Sequence, residues 1–378
     1  MNRGVMKLRR LRWLMVSFMS VLVGLALVRP LGAAAKWVVV HQASSGLVVH
    51  RSSMRRVNNS RVHYVKVPKS YAHVKKTSAT HEIKATKGKA VTFKTKYLLP
   101  YPGKNGQRWG NPQSIAISKS NYMYIVYCPT NVKNRGRIVR FDMALLAKLG
   151  VDKSPKVLQS AYVKHHGRYS ASQKRIQKAI KVGPTFTTGH GQSLAYNYKT
   201  KALYMWRDTE KSARVPTSMW GVIQHIDSKS LRPDRAVRFR LASGGMRVPG
   251  GHTLAFDKSG NAYFWSNPGI GGYVYKGKIS AHHVKFRLTS QILRHIPGTR
   301  IQSMGYNPVR HRLYMVSDGS IASFPTKRLN GRGSLTNGSF EWSGLSPKRE
   351  LEGLAYDSAG HGYLLTNHNP EVLVANKY

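Results

Sequence analysis

Six polar residues are the candidates for chemistry in this sequence: Gln113, His190, Gln192, His252, Gln302 and Glu352. Five of them open the same short phrase. It runs Gln113-Ser114-Ile115-Ala116-Ile117-Ser118, Gln192-Ser193-Leu194-Ala195-Tyr196-Asn197, His252-Thr253-Leu254-Ala255-Phe256-Asp257, Gln302-Ser303-Met304-Gly305-Tyr306-Asn307 and Glu352-Gly353-Leu354-Ala355-Tyr356-Asp357. His190 stands two residues before the second copy. Equivalent positions in a repeated unit face one another about an axis. Amides, an imidazole and a carboxyl gathered there could bind a polar ligand. A hydrogen-bonded, water-filled channel that only satisfies its own polar groups is the plainer reading. One His and one Glu are too few for a zinc site, so no metal and no cofactor is expected, and no catalytic residue is assigned.

The elements that must position this ring are strands. Each phrase is followed by an aromatic-rich run: Tyr122–Val126, Ala202–Trp206, Asn261–Trp265, Arg312–Val316 and Gly362–Thr366. Short β-branched and aromatic runs bounded by Gly, Asn, Asp and Ser are strands and turns. The copies begin at 113, 192, 252, 302 and 352. A propeller blade of four strands takes about 40–50 residues. The last two intervals fit directly, and the earlier ones carry insertions. The expected fold is therefore all-β, a five-bladed β-propeller over residues 101–378.

Charge sets the second constraint. The 378 residues hold 62 Lys and Arg against 14 Asp and Glu, a formal charge of +48. Such an excess favours polyanionic partners. Residues 1–35 have a basic start, an apolar run from Trp13 to Val28 and an Ala triplet before Lys36, the layout of a signal peptide. An uncleaved anchor is the alternative. Cleavage would remove six basic and no acidic residues, leaving +42. Residues 36–100 hold one acid, Glu82, among many Lys and Arg, and are expected to be a flexible basic arm. Within it, residues 90–97 alternate and could complete the last blade, removing its open edge.

Other residue groups carry less. Cys128 is alone, in a strand-like run, and is expected to be a small buried hydrophobe. Asp257 and Asp357 suit hairpin turns. Asp208 and Glu210 sit among Arg207, Lys211 and Arg214 and are expected to pair with them. The helix expected near 170–180, stopped by Gly183-Pro184, is basic and suits a solvated cover beside a blade. No zinc-finger spacing, RNA-binding motif or phosphate loop is present, which makes nucleic acid an unlikely partner.

The phrase Gly189-His190-Gly191-Gln192-Ser193, the strand Trp220–Asp227 and Ile301-Gln302-Ser303 resemble extracellular β-propeller repeats. Within that group they are similar to the secreted class III bacteriocins of the helveticin type from lactic acid bacteria. The resemblance spans residues 110–378 and implies a secreted antimicrobial protein. Together these features lead to an expectation of a secreted, non-enzymatic protein of a Gram-positive surface. It would be held on anionic wall polymers such as teichoic acids, or on an anionic membrane surface, with no obligate protein partner. The alternative is a secreted propeller hydrolase or lyase acting on a cell-wall or glycan substrate.

Overall fold

The structure is a computed structural model that describes residues 37–48, 54–71, 81–103, 106–207, 220–243, 246–248, 253–269, 271–345, 348–368 and 370–378. The expected signal segment, His252, Asp208 and Glu210 lie outside these residues. Strands come first: β1 (Val38–Ser45), β2 (Leu47–Val48), β3 (Arg55–Val57), β4 (Glu82–Gly88) and β5 (Thr92–Leu98). The first repeat gives β6 (Asn111–Ile117), β7 (Tyr122–Cys128) and β8 (Arg135–Asp142). Helices α1 (Met143–Lys148), α2 (Pro155–Ser160) and α3 (Ala171–Lys178) follow, then β9 (Ile180–Val182) and β10 (Phe186–Thr187). The second repeat gives β11 (Ala195–Asn197), β12 (Ala202–Trp206), β13 (Trp220–Asp227) and β14 (Arg232–Arg240). After a small hairpin, β15 (Ala242–Ser243) and β16 (Met246–Arg247), come β17 (Ala255–Phe256), β18 (Ala262–Ser266), β19 (Gly272–Ile279) and β20 (Val284–Leu293). The chain finishes with β21 (Ser303–Asn307), β22 (Arg312–Ser317), β23 (Ser320–Pro325), β24 (Glu341–Leu345), β25 (Leu351–Tyr356), β26 (Gly362–Thr366) and β27 (Glu371–Ala375).

Each repeat folds as an antiparallel meander whose first strand is innermost. The innermost strands β6, β11, β17, β21 and β25 touch in that order, and β25 returns to β6. The ring is a β-propeller architecture. Its repeated phrase has a structural logic. The small residue after each polar one ties neighbouring strands together. Ser114 Oγ donates to the Gly191 carbonyl and accepts the Leu194 N–H at 3.2 Å. Ser193 Oγ accepts the Trp206 N–H at 2.9 Å. Thr253 Oγ1 accepts from Trp265 N, and Ser303 Oγ from Leu354 N, both at 3.4 Å. The fifth copy has Gly353 instead, where a Cβ would meet Ile115 Cγ2 at 2.8 Å. The turn former closing each phrase caps its own hairpin: Asp257 Oδ1 accepts from Ser259 N and Asn261 N, and Asp357 Oδ1 from Ala359 N and His361 N.

Between the sheets lie apolar seams. Trp206 packs on Phe239, Phe264 and Phe286, and Phe264 stacks on Tyr275 at 4.2 Å. The insertion after β8 packs elsewhere, on the seam of the first and last repeats, where Leu146, Leu158 and Ile176 are buried with Tyr97, Ile125 and Leu365. Asp142 caps α1 through Leu145 N at 2.9 Å, and Gly150 follows it in the left-handed conformation with φ 72. A Ser170–Gln173 capping box starts α3. That helix buries Ile176 and Gln173 and exposes Lys174, Arg175 and Lys178.

The flexible arm is the main correction. Its described residues are built into the sheets. β1 lies parallel on β14, and β2 and β3 lie parallel on β20. β5 pairs antiparallel with β27, and β4 pairs with both β5 and β24, so one nine-stranded run joins the last two repeats. The physical reason is that outermost strands offer open rows of backbone groups. The segment also alternates, so that Val57, Ile83, Phe93 and Tyr97 are buried. The lysines between them point outward, and Lys84 and Lys94 share Glu82 at 2.8 and 3.1 Å. Charge density led to the expectation of disorder, while the period of two governs the structure. Among the described residues no helix is long and apolar enough to cross a membrane.

If β5 is an integral strand, Phe93→Ala should destabilise the protein by about 3–5 kcal/mol, the usual cost of emptying a core aromatic site. Urea unfolding of the full chain measures this. A loss below about 1 kcal/mol, as at ordinary surface positions, would show that the segment is dispensable.

Candidate functional site

The first residues of the inner strands and the last residues of the second strands meet at one end of the channel. The opposite end is filled. There Tyr198 Oη donates to the carbonyls of Ile117 at 3.0 Å and Tyr356 at 2.8 Å, and apolar residues of all five inner strands close around it. The polar end is thus a mouth rather than a through-pore.

At the mouth, three of the six sequence candidates come together. Gln192 Nε2 donates to Gln302 Oε1 and, at 3.4 Å, to Glu352 Oε2. Gln302 Nε2 donates to Asp318 Oδ1 at 2.8 Å. Asn367 Nδ2 donates to Glu350 Oε2 at 3.1 Å and to Glu352 Oε1 at 3.4 Å. His368 Nε2 lies 3.1 Å from Glu350 Oε2. Tyr71 Oη donates to Asp318 Oδ2 at 2.7 Å, its ring stacks on His368 at 4.9 Å, and Arg300 reaches its hydroxyl at 3.4 Å. The cluster therefore holds three carboxyls, Asp318, Glu350 and Glu352. Behind it Arg349 pairs with Glu371 at 2.5 Å, and Thr95 Oγ1 donates to the same carboxylate at 2.8 Å. Arg349 and Glu371 are buried, so this pair holds the backbone carrying Glu350 against the closing strand β5.

The remaining candidates stand apart. Gln113 bonds the Pro112 carbonyl, and its buried Oε1 lacks a partner. With Cys128 and the exposed His190 it lines a separate cavity of about 110 Å³. Cys128 Sγ contacts Thr188 Oγ1 at 3.4 Å and the His190 carbonyl at 3.7 Å. Burial pushes its thiol up to about 12, so it stays protonated and is a poor nucleophile.

Sequence reasoning missed Asp318, Glu350, Asn367, His368, Tyr71 and Arg300. A signal for four of them was present. Asp318 follows the aromatic run of the fourth repeat, Asn367 and His368 follow that of the fifth, and Glu350 precedes a phrase. The ends of second strands meet the beginnings of first strands in any meander, so both sets of positions face one mouth. Tyr71 had no such signal, because it arrives from the segment expected to be loose.

The electrostatics of the carboxyls differ. Glu352 is 2% exposed. Burial, then the neighbouring Glu350 charge, pushes it well above the usual carboxylate range, while the amides of Gln192 and Asn367 pull the other way. Glu350 is also raised, mainly by burial, but His368 opposes the shift. Burial and the hydrogen bond to Asp318 raise the Tyr71 phenol. Among the described residues no group of three or more His, Cys, Asp or Glu is arranged to hold a metal ion.

A carboxyl raised on folding binds its proton more tightly in the folded chain than in the unfolded one. Stability is then lost as pH climbs from about 4.3, the free glutamate value, through the folded value. Glu352→Gln removes that loss. The melting temperature of the variant should rise relative to the parent as pH increases from 4 to 8. A constant difference across that range would mean that Glu352 is not raised.

Neither a family profile nor a curated protein matches the sequence. Solved structures do resemble the fold. A gluconolactonase from Xanthomonas campestris aligns over 82% of this chain and 89% of its own, at 11% identity and a TM-score of 0.36. TolB from Acinetobacter baumannii aligns over 78% and 63%, at 9% identity and a TM-score of 0.36, so this chain spans less than two thirds of that protein. A glucose dehydrogenase aligns over 75% and 89%, at 12% identity and a TM-score of 0.37. The propeller architecture of this chain is read from its own ring of inner strands, and no helveticin-type protein is among the structures named here. The expectation of a non-enzymatic protein held on wall polymers is not what these comparisons return: the proteins they name include a gluconolactonase and glucose dehydrogenases.

Proposed function

We propose that this chain is a propeller enzyme, a hydrolase or lyase, that performs general acid–base chemistry at the channel mouth on a polyhydroxylated, sugar-like substrate. One observation carries the reading: two carboxyls, Glu350 and Glu352, share the amide of Asn367 yet sit in different environments. Pairs of titratable groups whose surroundings differ in this way are how acid and base roles are divided at neutral pH. Glu352, buried and raised, keeps a proton to give to a leaving oxygen. Glu350, half-buried and beside His368, takes a proton from water or from a substrate carbon. Gln192, Gln302, Asn367 and Asp318 surround them with amide donors and carboxylate acceptors, a set suited to hydroxyl groups.

The finer features of the proposal have separate supports. A count of five blades is supported by the closed contact order of the five inner strands. Export rests on the sequence pattern of residues 1–35, and it puts glycans outside the cell within reach. The ligand ring of the sequence is narrowed to Gln192, Gln302 and Glu352, joined by Asp318, Glu350 and Asn367.

The test is turnover of the purified full chain on a panel of wall fragments, oligosaccharides and sugar lactones. Glu352→Gln should lower kcat by about 10²–10⁴-fold with little change in KM. The parent rate should fall as pH rises through the raised Glu352 value, because the acid form is lost. No turnover across the panel, or an undiminished kcat in the variant, overturns the proposal.

A further inference from the structure

Away from the mouth, an open cleft of about 1040 Å³ lies between the segment 61–66 and strands β4 and β24. Its walls carry Arg61, Lys66 and Lys87, all exposed. The acid that lines it, Glu341, is already taken: Lys89 lies at 2.7 Å, Arg310 at 2.7 Å and Arg312 at 3.6 Å. The cleft thus keeps an unneutralised positive charge. It also has aromatic surfaces. Trp342, 6% exposed, lies beneath the floor, and the exposed His63 ring stands edge-on to it at 5.0 Å. Tyr64 stands on the wall, 51% exposed, with its hydroxyl 3.1 Å from Thr299 Oγ1.

The floor is built to let the indole lie along the strands. At Gly344 a Cβ would meet Trp342 Cη2 at 2.9 Å, and at Gly88, with φ 76, it would meet the Trp342 carbonyl at 2.0 Å. Any larger residue would displace the ring. The indole N–H is buried and has no hydrogen-bond partner.

One chain segment links the cleft wall to the mouth. The segment that forms its wall continues past Gly319, where a Cβ would touch Val65 Cγ1 at 2.8 Å. It reaches Asp318 through Tyr71. One stretch of chain therefore borders both places.

We infer that this cleft binds an acidic polysaccharide chain, with its aromatic residues against sugar faces and Arg61, Lys66 and Lys87 against carboxylates, so that the substrate class of the mouth is an anionic glycan. The inference rests on the proposed activity at the mouth. Fixed cations together with aromatic faces match a sugar polymer that bears acid groups. A neutral glycan would leave the cations unused.

The probe is a fluorescently labelled oligogalacturonate, with neutral dextran and a single-stranded oligonucleotide as comparisons, measured by anisotropy at 0.15 M salt. A protein of this charge binds any polyanion to some extent, so the control removes equal charge elsewhere. Lys66→Gln with Lys87→Gln should weaken oligogalacturonate binding at least tenfold. Lys174→Gln with Lys178→Gln, on α3, should weaken it less than twofold. Tyr64→Ala should weaken it several-fold with no change in charge. Melting temperatures near the parent's would show that each variant is folded. Equal losses in the cleft and control pairs overturn the inference, as does equal binding of dextran. Tighter, cleft-dependent binding of the oligonucleotide overturns it in favour of nucleic acid. Glu352→Gln should leave this binding intact while turnover falls. Turnover that survives Glu352→Gln therefore condemns the mouth chemistry, whereas failure of the cleft variants condemns only the cleft.

Discussion

The structure depends on how closely the inner strands approach one another around the axis. At that separation there is no room for large side chains beside the backbone, and the neighbouring strands still have polar groups to satisfy. Hydroxyl side chains meet both demands. Ser114 bonds to two backbone groups of the next repeat, and Ser193, Thr253 and Ser303 each accept one N–H. Where the approach is tightest, Gly353 leaves the side chain out altogether. Once these positions are fixed, Gln192, Gln302 and Glu352, each one residue earlier, are brought together at the mouth. The polar cluster is thus a consequence of the packing that closes the ring.

That cluster sits in an adverse setting that also makes it useful. A chain with 62 cations and 14 acids has few carboxyls to spare. Even so, Asp318, Glu350 and Glu352 share one small space with amides rather than with lysines. A buried carboxyl beside another disfavours ionisation, and the raised state of Glu352 is a cost to the fold at neutral pH. Arg349 neutralises Glu371 behind the cluster, not within it. The local arrangement keeps a proton available while the wider surface remains strongly positive.

Much of this was legible before any coordinates. The phrase-and-run pattern located the inner and second strands, because alternation and turn residues act locally. It also singled out Gln192, Gln302 and Glu352. The partners of these residues were harder to see. Asp318 and Asn367 become neighbours of Glu352 only through the meander and ring closure, which bring residues from different repeats together. Tyr71 was hidden for a different reason. Its segment is dominated by lysine and arginine, and outside residues 90–97, whose alternation is legible, the charge masks strands such as Glu82–Gly88. On an outer strand those two features are compatible, since one face packs and the other meets water.

The pairing of β5 with β27 has a consequence for how the molecule comes into being. Thr95 and Glu371, bonded across that seam, are 276 residues apart in the chain. Contacts of such separation are slow to form, because a long loop must close before they give any return. β5 is made long before β27 and lacks that partner until β27 arrives. This seam therefore closes only after β27 has been made.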